Sequence, residues 1–143
     1  MYNEAFSEFE NCNIIIGAAA VADYKPLNKL TKKYKKQSAT PKIVLQKTKD
    51  ILADMGTLKK DQFLVGFALE TNNEIENAKY KLFKKNLDLI VLNSLNDEGA
   101  CFETETNKVT IISKDNKILR FELKSKFEVA SDIANLILNE IDA

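Results

Sequence analysis

Three short apolar runs, spaced by segments of helical periodicity, constrain this chain more than any other feature. They are Asn13 to Ala20 (NIIIGAAA), Gln62 to Ala68 (QFLVGFA) and Asp88 to Asn93 (DLIVLN). Continuous rather than alternating runs of this length fit strands buried on both faces. The opening MYNEAFSEFENCN reads as the end of a helix leading into the first strand. Lys42 to Gln46 (KIVLQ) is a further short strand, and Asp50 to Leu58 a short helix with Thr48 as its N-cap. Thr71 and Glu74 have capping-box spacing and predict a helix to about Asn86. Its Ile75, Ala78 and Leu82 form one stripe, and Lys81 and Lys85, four apart, share another face. Lys108 to Ser113 and Lys117 to Leu123 read as a hairpin turning at Asp115-Asn116. Ser125 and Glu128 make a second capping box, opening a final helix to about Ile141. Strands alternating with helices predict an α/β sheet, parallel in its middle. The 143 residues suit a single domain, 1–143.

The missing residue types narrow the chemistry. The chain has no histidine, which excludes Ser-His-Asp and Cys-His catalysis and histidine zinc sites within one chain. Cys12 and Cys101 lie far apart and form no metal-ligand spacing; they read as free thiols of a reducing compartment. Catalysis must run on lysine, carboxylate, amide, hydroxyl and backbone groups. No apolar run approaches the ~20 residues needed to span a bilayer, and the acidic N-terminus is no signal peptide. A cytoplasmic protein with no membrane or nucleic-acid partner is expected.

Charge is balanced overall, 21 basic against 21 acidic residues, but unevenly placed. Nine lysines and no acid lie between Lys25 and Lys49, leaving the rest of the chain acidic. Such a segment is either a solvated loop or a local anion site. Lys25 to Pro41 is polar, with both prolines of the chain at its edges, and is expected to be a loop. An RNA-binding role is disfavoured, because only Tyr24 and Tyr34 are interleaved with its lysines. In α/β sheets ligands sit outside the carboxyl ends of the strands. Three such ends carry notable residues here: Ala18 to Asp23, Phe67 to Thr71, and Asn93.

Five runs then occur in order: AAAVADYKP (Ala18 to Pro26), KYKK from Lys33, QKTKDIL (Gln46 to Leu52), VGFALET (Val65 to Thr71), and a helix with Lys81 and Lys85 leading into DLIVLN. Together they resemble the C-terminal part of phosphopantothenate–cysteine ligases, which in bacteria commonly form the second half of a bifunctional coenzyme A biosynthesis protein. The resemblance runs from about Ile14 to Ile141. It implies a Rossmann-like three-layer fold with a C-terminal hairpin. The glycine-rich opening of the family and its asparagine segment are not seen, so a truncated version of the fold is expected.

The resemblance also implies a reaction: CTP activates the carboxylate of 4′-phosphopantothenate, and the amine of L-cysteine attacks the acyl-cytidylate. Magnesium accompanies the CTP, and no flavin is expected in this chain. Lys33 matches the flap lysine tied both to nucleotide binding and to catalysis, within a Lys25 to Pro41 flap expected to order over nucleotide. Asp23, Thr48, Lys49, Asp50, Ile51, Phe67, Lys81 and Lys85 match nucleotide-binding positions. Ala19, Ala20 and Asn93 match weaker substrate positions. Thr48 and Lys49 stand where the family has asparagine and proline, and Leu69 where it has alanine. A homodimer is implied, as is a decarboxylase domain fused or associated upstream; the expected dimer contact includes the Lys108 to Leu123 hairpin, whose edge can extend a partner's sheet. The alternative is a binding module that keeps CTP affinity but cannot form the acyl-cytidylate.

Overall fold

The computed structural model describes residues 1–29, 32, 42–94, 96 and 104–141. Helix α1 (Tyr2–Phe9) leads into strand β1 (Ile14–Gly17). Next come β2 (Tyr24–Pro26), β3 (Leu45–Lys47), α2 (Ile51–Leu58), β4 (Phe63–Glu70), α3 (Glu74–Lys84) and β5 (Leu89–Ser94). After these follow β6 (Thr106–Asn107), β7 (Val109–Ser113), β8 (Ile118–Arg120), β9 (Lys124–Ser125) and α4 (Lys126–Ile141). The main sheet has the order β1-β4-β5-β7-β8. Its first three strands are parallel, and β7 and β8 continue it antiparallel. The expected α/β architecture, parallel in its middle with a terminal hairpin, is therefore observed.

Alternation along β4 and β5 divides the core into two layers. Leu64, Ala68, Ile90 and Leu92 face Phe9, Met55, Ala78 and Leu82 of α1–α3. Val65, Leu89 and Val91 face Val129, Ile133 and Ile137 of α4. A strand covered by helices on both faces has no solvated side to keep polar, which is why these runs are continuously apolar.

β1 departs from the same expectation. Ile15 packs into the α1–α3 layer, but Ile14 and Ile16 are 40% and 50% exposed. The strand is the sheet's edge, and α4 covers β4, β5 and β7 rather than β1. Other expectations also fail locally. The Lys25 to Pro41 loop begins inside a strand, because β2 pairs antiparallel with β3, which itself starts at Leu45 rather than Lys42. Asp50, not Thr48, caps α2, its Oδ1 accepting the Ala53 N–H at 3.1 Å. The Thr71–Glu74 capping box does not form: Asn73 is the N-cap, in the left-handed region at φ 47°, with no side-chain cap bond. Glu74 instead accepts from the Ser94 hydroxyl and from Asn96. Helix α3 ends at Lys84, because Asn86 turns left-handed at φ 50°.

The C-terminal expectations fare better. Asn116 takes the left-handed hairpin-turn conformation, at φ 63°. Ser125 and Glu128 form a reciprocal capping box at the start of α4. The second hairpin strand is shorter than expected: it ends at Arg120, and Lys124–Ser125 pairs with β6 instead. No helix among the described residues is long and apolar enough to cross a membrane.

Candidate functional site

A cavity of about 500 Å³ wraps the carboxyl end of β1. Its walls come from α1, the 17–23 segment, the start of α2, β4 and the end of α3. Each wall has a local cause. The β2–β3 ribbon sets Asp23 beside Thr48: the Thr48 N–H donates to the Asp23 carbonyl at 2.8 Å, and the Thr48 hydroxyl to the Ala22 carbonyl at 2.6 Å. Thr48 thus ties the two banks of the cavity together, a different task from the helix cap its sequence position suggests.

Lys85 is placed by a close approach of two helices. A Cβ on Gly56 would lie 1.8 Å from the Lys85 carbonyl oxygen, so only glycine lets α2 sit against the end of α3. Asn86 completes the junction by donating from Nδ2 to the Gly56 carbonyl at 2.8 Å. Lys85 Nζ then reaches both oxygens of Asp50, at 2.9 and 3.1 Å. Partial burial works to raise the Asp50 carboxyl's affinity for its proton, but the bonds from Lys85 and Ala53, with the charges of Lys85 and Lys47, outweigh it. The Asp50 carboxyl is held below the usual carboxylate range.

Of the residues singled out in the sequence, Ala19, Ala20, Asp23, Thr48, Lys49, Asp50, Ile51, Phe67 and Lys85 all line this cavity. Lys81 and Asn93 do not. Lys81 pairs with Glu70 at 2.6 Å, and the Asn93 side-chain oxygen accepts from Asn107 at 3.3 Å. Lys33 and Cys101 lie outside the described residues; Cys12 is a free thiol. Sequence reading missed the contribution of α1, whose N-cap Met1 and whose Ala5 line the cavity and whose Tyr2 lies under Lys49. The aromatic spacing Tyr2, Phe6, Phe9 was the available signal. It also missed Glu70, the partner of Lys81, which ends β4.

Side chains of both charge signs therefore gather at the carboxyl end of the parallel strands, beside the start of α2, which is where α/β sheets carry their ligands. The chain belongs to the family described as the DNA/pantothenate metabolism flavoprotein C-terminal domain, which it matches over residues 1–141. It is 55% identical over 139 residues to a cysteine/cysteine sulfinic acid decarboxylase from an unknown prokaryotic organism, covering 96% of this chain and 39% of that protein. It is 41% identical over 133 residues to the coenzyme A biosynthesis bifunctional protein CoaBC of Bacillus subtilis, covering 93% of this chain and 33% of that protein. The crystal structure of a CoaBC C-terminal domain superposes with a TM-score of 0.79 at 33% identity, covering 99% of this chain and 61% of that one. The chain thus spans 39% and 33% of the lengths of these two curated relatives.

Proposed function

We propose that this chain supplies the nucleotide site of a CTP-dependent phosphopantothenate–cysteine ligase, a cytoplasmic enzyme of coenzyme A biosynthesis. One observation carries the reading: Asp23, Lys49, Asp50 and Lys85 converge on a single cavity in a member of this family. The relatives named CoaBC support the pathway.

In the proposed reaction a carboxylate oxygen of 4′-phosphopantothenate attacks the α-phosphorus of CTP. The bond to the bridging oxygen breaks and pyrophosphate leaves. The amine of L-cysteine then attacks the acyl carbon, expels CMP and loses its proton to solvent. Charge builds on phosphoryl oxygens in the first step, so fixed cations are the main requirement. Lys85 and Lys49 are those cations at the cavity wall. An incoming phosphate competes with Asp50 for the Lys85 ammonium. Asp23, an acceptor when ionised, suits hydrogen-bond donors of the nucleoside. Thr48 and Ile51 hold the pocket floor, Phe67 gives an apolar wall, and Ala19 and Ala20 let a ligand approach the backbone. Lys33 is assigned the catalytic cation of the acyl step, and Lys81 and Asn93 secondary contacts made once ligand is bound.

Magnesium fits as part of the substrate. Asp23 and Asp50 are the carboxylates lining the cavity, Asp50 is already engaged, and no cluster of three or more His, Cys, Asp or Glu among the described residues could hold a metal. Such a donor set suits an ion carried in by triphosphate oxygens. A homodimer and a fused or associated phosphopantothenoylcysteine decarboxylase domain complete the proposal.

A second reading is a binding module that holds CTP without turning it over. It is favoured by the Lys85–Asp50 pair at 2.9 Å, which already neutralises one of the cavity cations that turnover would call on. The test is pyrophosphate release from CTP with 4′-phosphopantothenate and magnesium, followed by CMP release on adding cysteine. Pyrophosphate release supports the ligase. CTP binding without release supports the module. Carbon dioxide from cysteine or cysteine sulfinate, with no CTP binding, would point instead to the chemistry named for the 55% identical relative.

A further inference from the structure

The cations around the cavity are not equivalent. Lys85 is neutralised by Asp50 at 2.9 Å, and just outside the cavity Lys81 is neutralised by Glu70 at 2.6 Å. Lys49 lines the same cavity, is exposed, and makes no ion pair among the described residues. Its Nζ instead lies 4.4 Å from the centroid of the Tyr2 ring. The ring is itself fixed on both sides. It stacks on Phe6 with centroids 4.5 Å apart, and its hydroxyl donates to Asp54 Oδ2 at 2.8 Å. That bond to Asp54 pushes the Tyr2 hydroxyl above its ordinary range.

We propose that Lys49 is the cavity's open anion contact and that Tyr2 is its positioning residue, holding the ammonium at the wall where the terminal phosphates of a bound nucleotide lie. The proposal rests on the nucleotide reading above and adds to it the group that discriminates phosphate number.

The physical argument is one of competition. A phosphate approaching Lys85 must displace a carboxylate already bonded through both oxygens. A phosphate approaching Lys49 displaces none. An aromatic face attracts a cation less strongly than a carboxylate does, yet it limits where the long side chain wanders. The ammonium is therefore held without being neutralised. Tyr2 belongs to α1, whose N-cap Met1 and whose Ala5 line the same cavity, so the first helix becomes a working wall of the site rather than a lead-in to β1.

The test is titration of the full chain with CTP, CMP, cytidine and inorganic pyrophosphate. The variants are Lys49→Gln, Lys49→Arg, Tyr2→Phe, Tyr2→Leu and Lys85→Ala, with Glu76→Ala as an exposed control. Lys49→Gln should weaken CTP about tenfold and leave cytidine unchanged, while flattening the salt dependence of CTP binding. Lys49→Arg should restore most of that loss. Tyr2→Phe keeps the ring and should stay near the parent, whereas Tyr2→Leu should weaken CTP about two- to fivefold. Because Tyr2→Leu also loosens α1, its cytidine affinity is read alongside: an equal loss for cytidine and CTP would mark a merely structural role and overturn the positioning claim. If Lys85→Ala weakens CTP and Lys49→Gln does not, the nucleotide site stands and the Lys49 proposal falls. If the parent binds pyrophosphate through Lys49 but shows no preference for CTP, the anion contact stands and the nucleotide reading falls. A parent that binds neither overturns both.

Discussion

The two ends of the parallel strands hold similar charges in opposite states. At the amino end, Asp88 is buried and fully engaged: Oδ2 takes the Lys59 ammonium at 2.6 Å and the Leu64 N–H at 2.8 Å, and Oδ1 takes Lys114 at 3.3 Å. At the carboxyl end, Asp50 has a side chain 44% exposed and, among the described residues, one lysine partner, while Lys49 has an aromatic face and no ion pair there. A buried, saturated carboxylate cannot exchange partners without leaving a charge unpaired in the interior. A half-exposed one can, because water replaces what the ligand takes. The first arrangement locks a strand; the second leaves cations that a ligand can recruit.

The largest effect expected from this contrast is at Asp88. Asp88→Asn keeps the shape but leaves Lys59, whose side chain is 12% exposed, without its counter-charge. Breaking a buried pair costs about 3–5 kcal/mol. Urea unfolding should show that loss as a lower midpoint with an unchanged slope, while CTP affinity of the folded fraction stays at the parent value. A loss below about 1 kcal/mol, the range of a surface pair, would erase the contrast between the two ends.

Gly56 couples stability to the site. Gly56→Ala places a methyl 1.8 Å from a backbone oxygen, which cannot swing away as a side chain can, so α2 and α3 must separate. About 3 kcal/mol of destabilisation is expected, at the upper end of overpacking costs. CTP affinity should fall as well, since Lys85 moves with its carbonyl. Gly17→Ala is the milder comparison: its methyl meets the Leu52 side-chain tip at 2.6 Å, which a rotamer change can relieve. Equal unfolding midpoints for the two variants would show that the helix junction is softer than its geometry implies.

Lys85 and Lys81 sharpen the comparison on the ligand side. Replacing a charged hydrogen-bond partner of the nucleotide should cost about 1.5–3 kcal/mol of binding. Lys85→Ala is expected to show it in CTP titration and to change stability little, because Asp50 is solvated. Lys81→Ala should bind CTP closer to the parent but lose stability, because it strips Glu70, 12% exposed, of its ammonium. Among the described residues Glu70 then keeps the Asn77 amide alone, at 3.2 Å. Equal binding losses at both lysines would mean that Lys81 is a primary contact rather than a secondary one and gives up Glu70 altogether when ligand arrives.

These positions also show what the sequence could and could not say. Continuous apolar runs announced β4 and β5 because burial on both faces permits nothing else. The same pattern misled at β1, since sequence records which residues tolerate burial and not which neighbour covers them. The Ser125–Glu128 box formed and the Thr71–Glu74 box did not. The difference is tertiary: Ser94 and Asn96 outcompete the Glu74 helix terminus for its carboxylate. Most cavity residues were legible through ordered motifs around strand ends. The Lys85–Asp50 pair was not, because it joins residues 35 apart through a glycine contact that no local pattern encodes. Tyr2 was hidden similarly, as one aromatic of an ordinary helical stripe.

The smallest expected effect is the pH response of Asp50. Its carboxyl is held below the usual range in the folded chain, so the folded state binds this proton less readily than the unfolded chain. Stability from this group is then fully present above the ordinary carboxylate value and is lost as pH falls through the lower folded value. Asp50→Asn separates charge from cap, because asparagine still accepts the Ala53 N–H as an N-cap. Melting temperatures of parent and variant should differ slightly at pH 7, in the parent's favour, and converge as acid protonates Asp50. Unfolding caused by other carboxylates affects both chains alike and cancels in the difference. A difference that stays constant down to pH 3 would show that Lys85 contributes no charge stabilisation at Asp50. The cavity's lysine would then be free for ligand at every pH, and the distinction drawn between Lys85 and Lys49 would vanish.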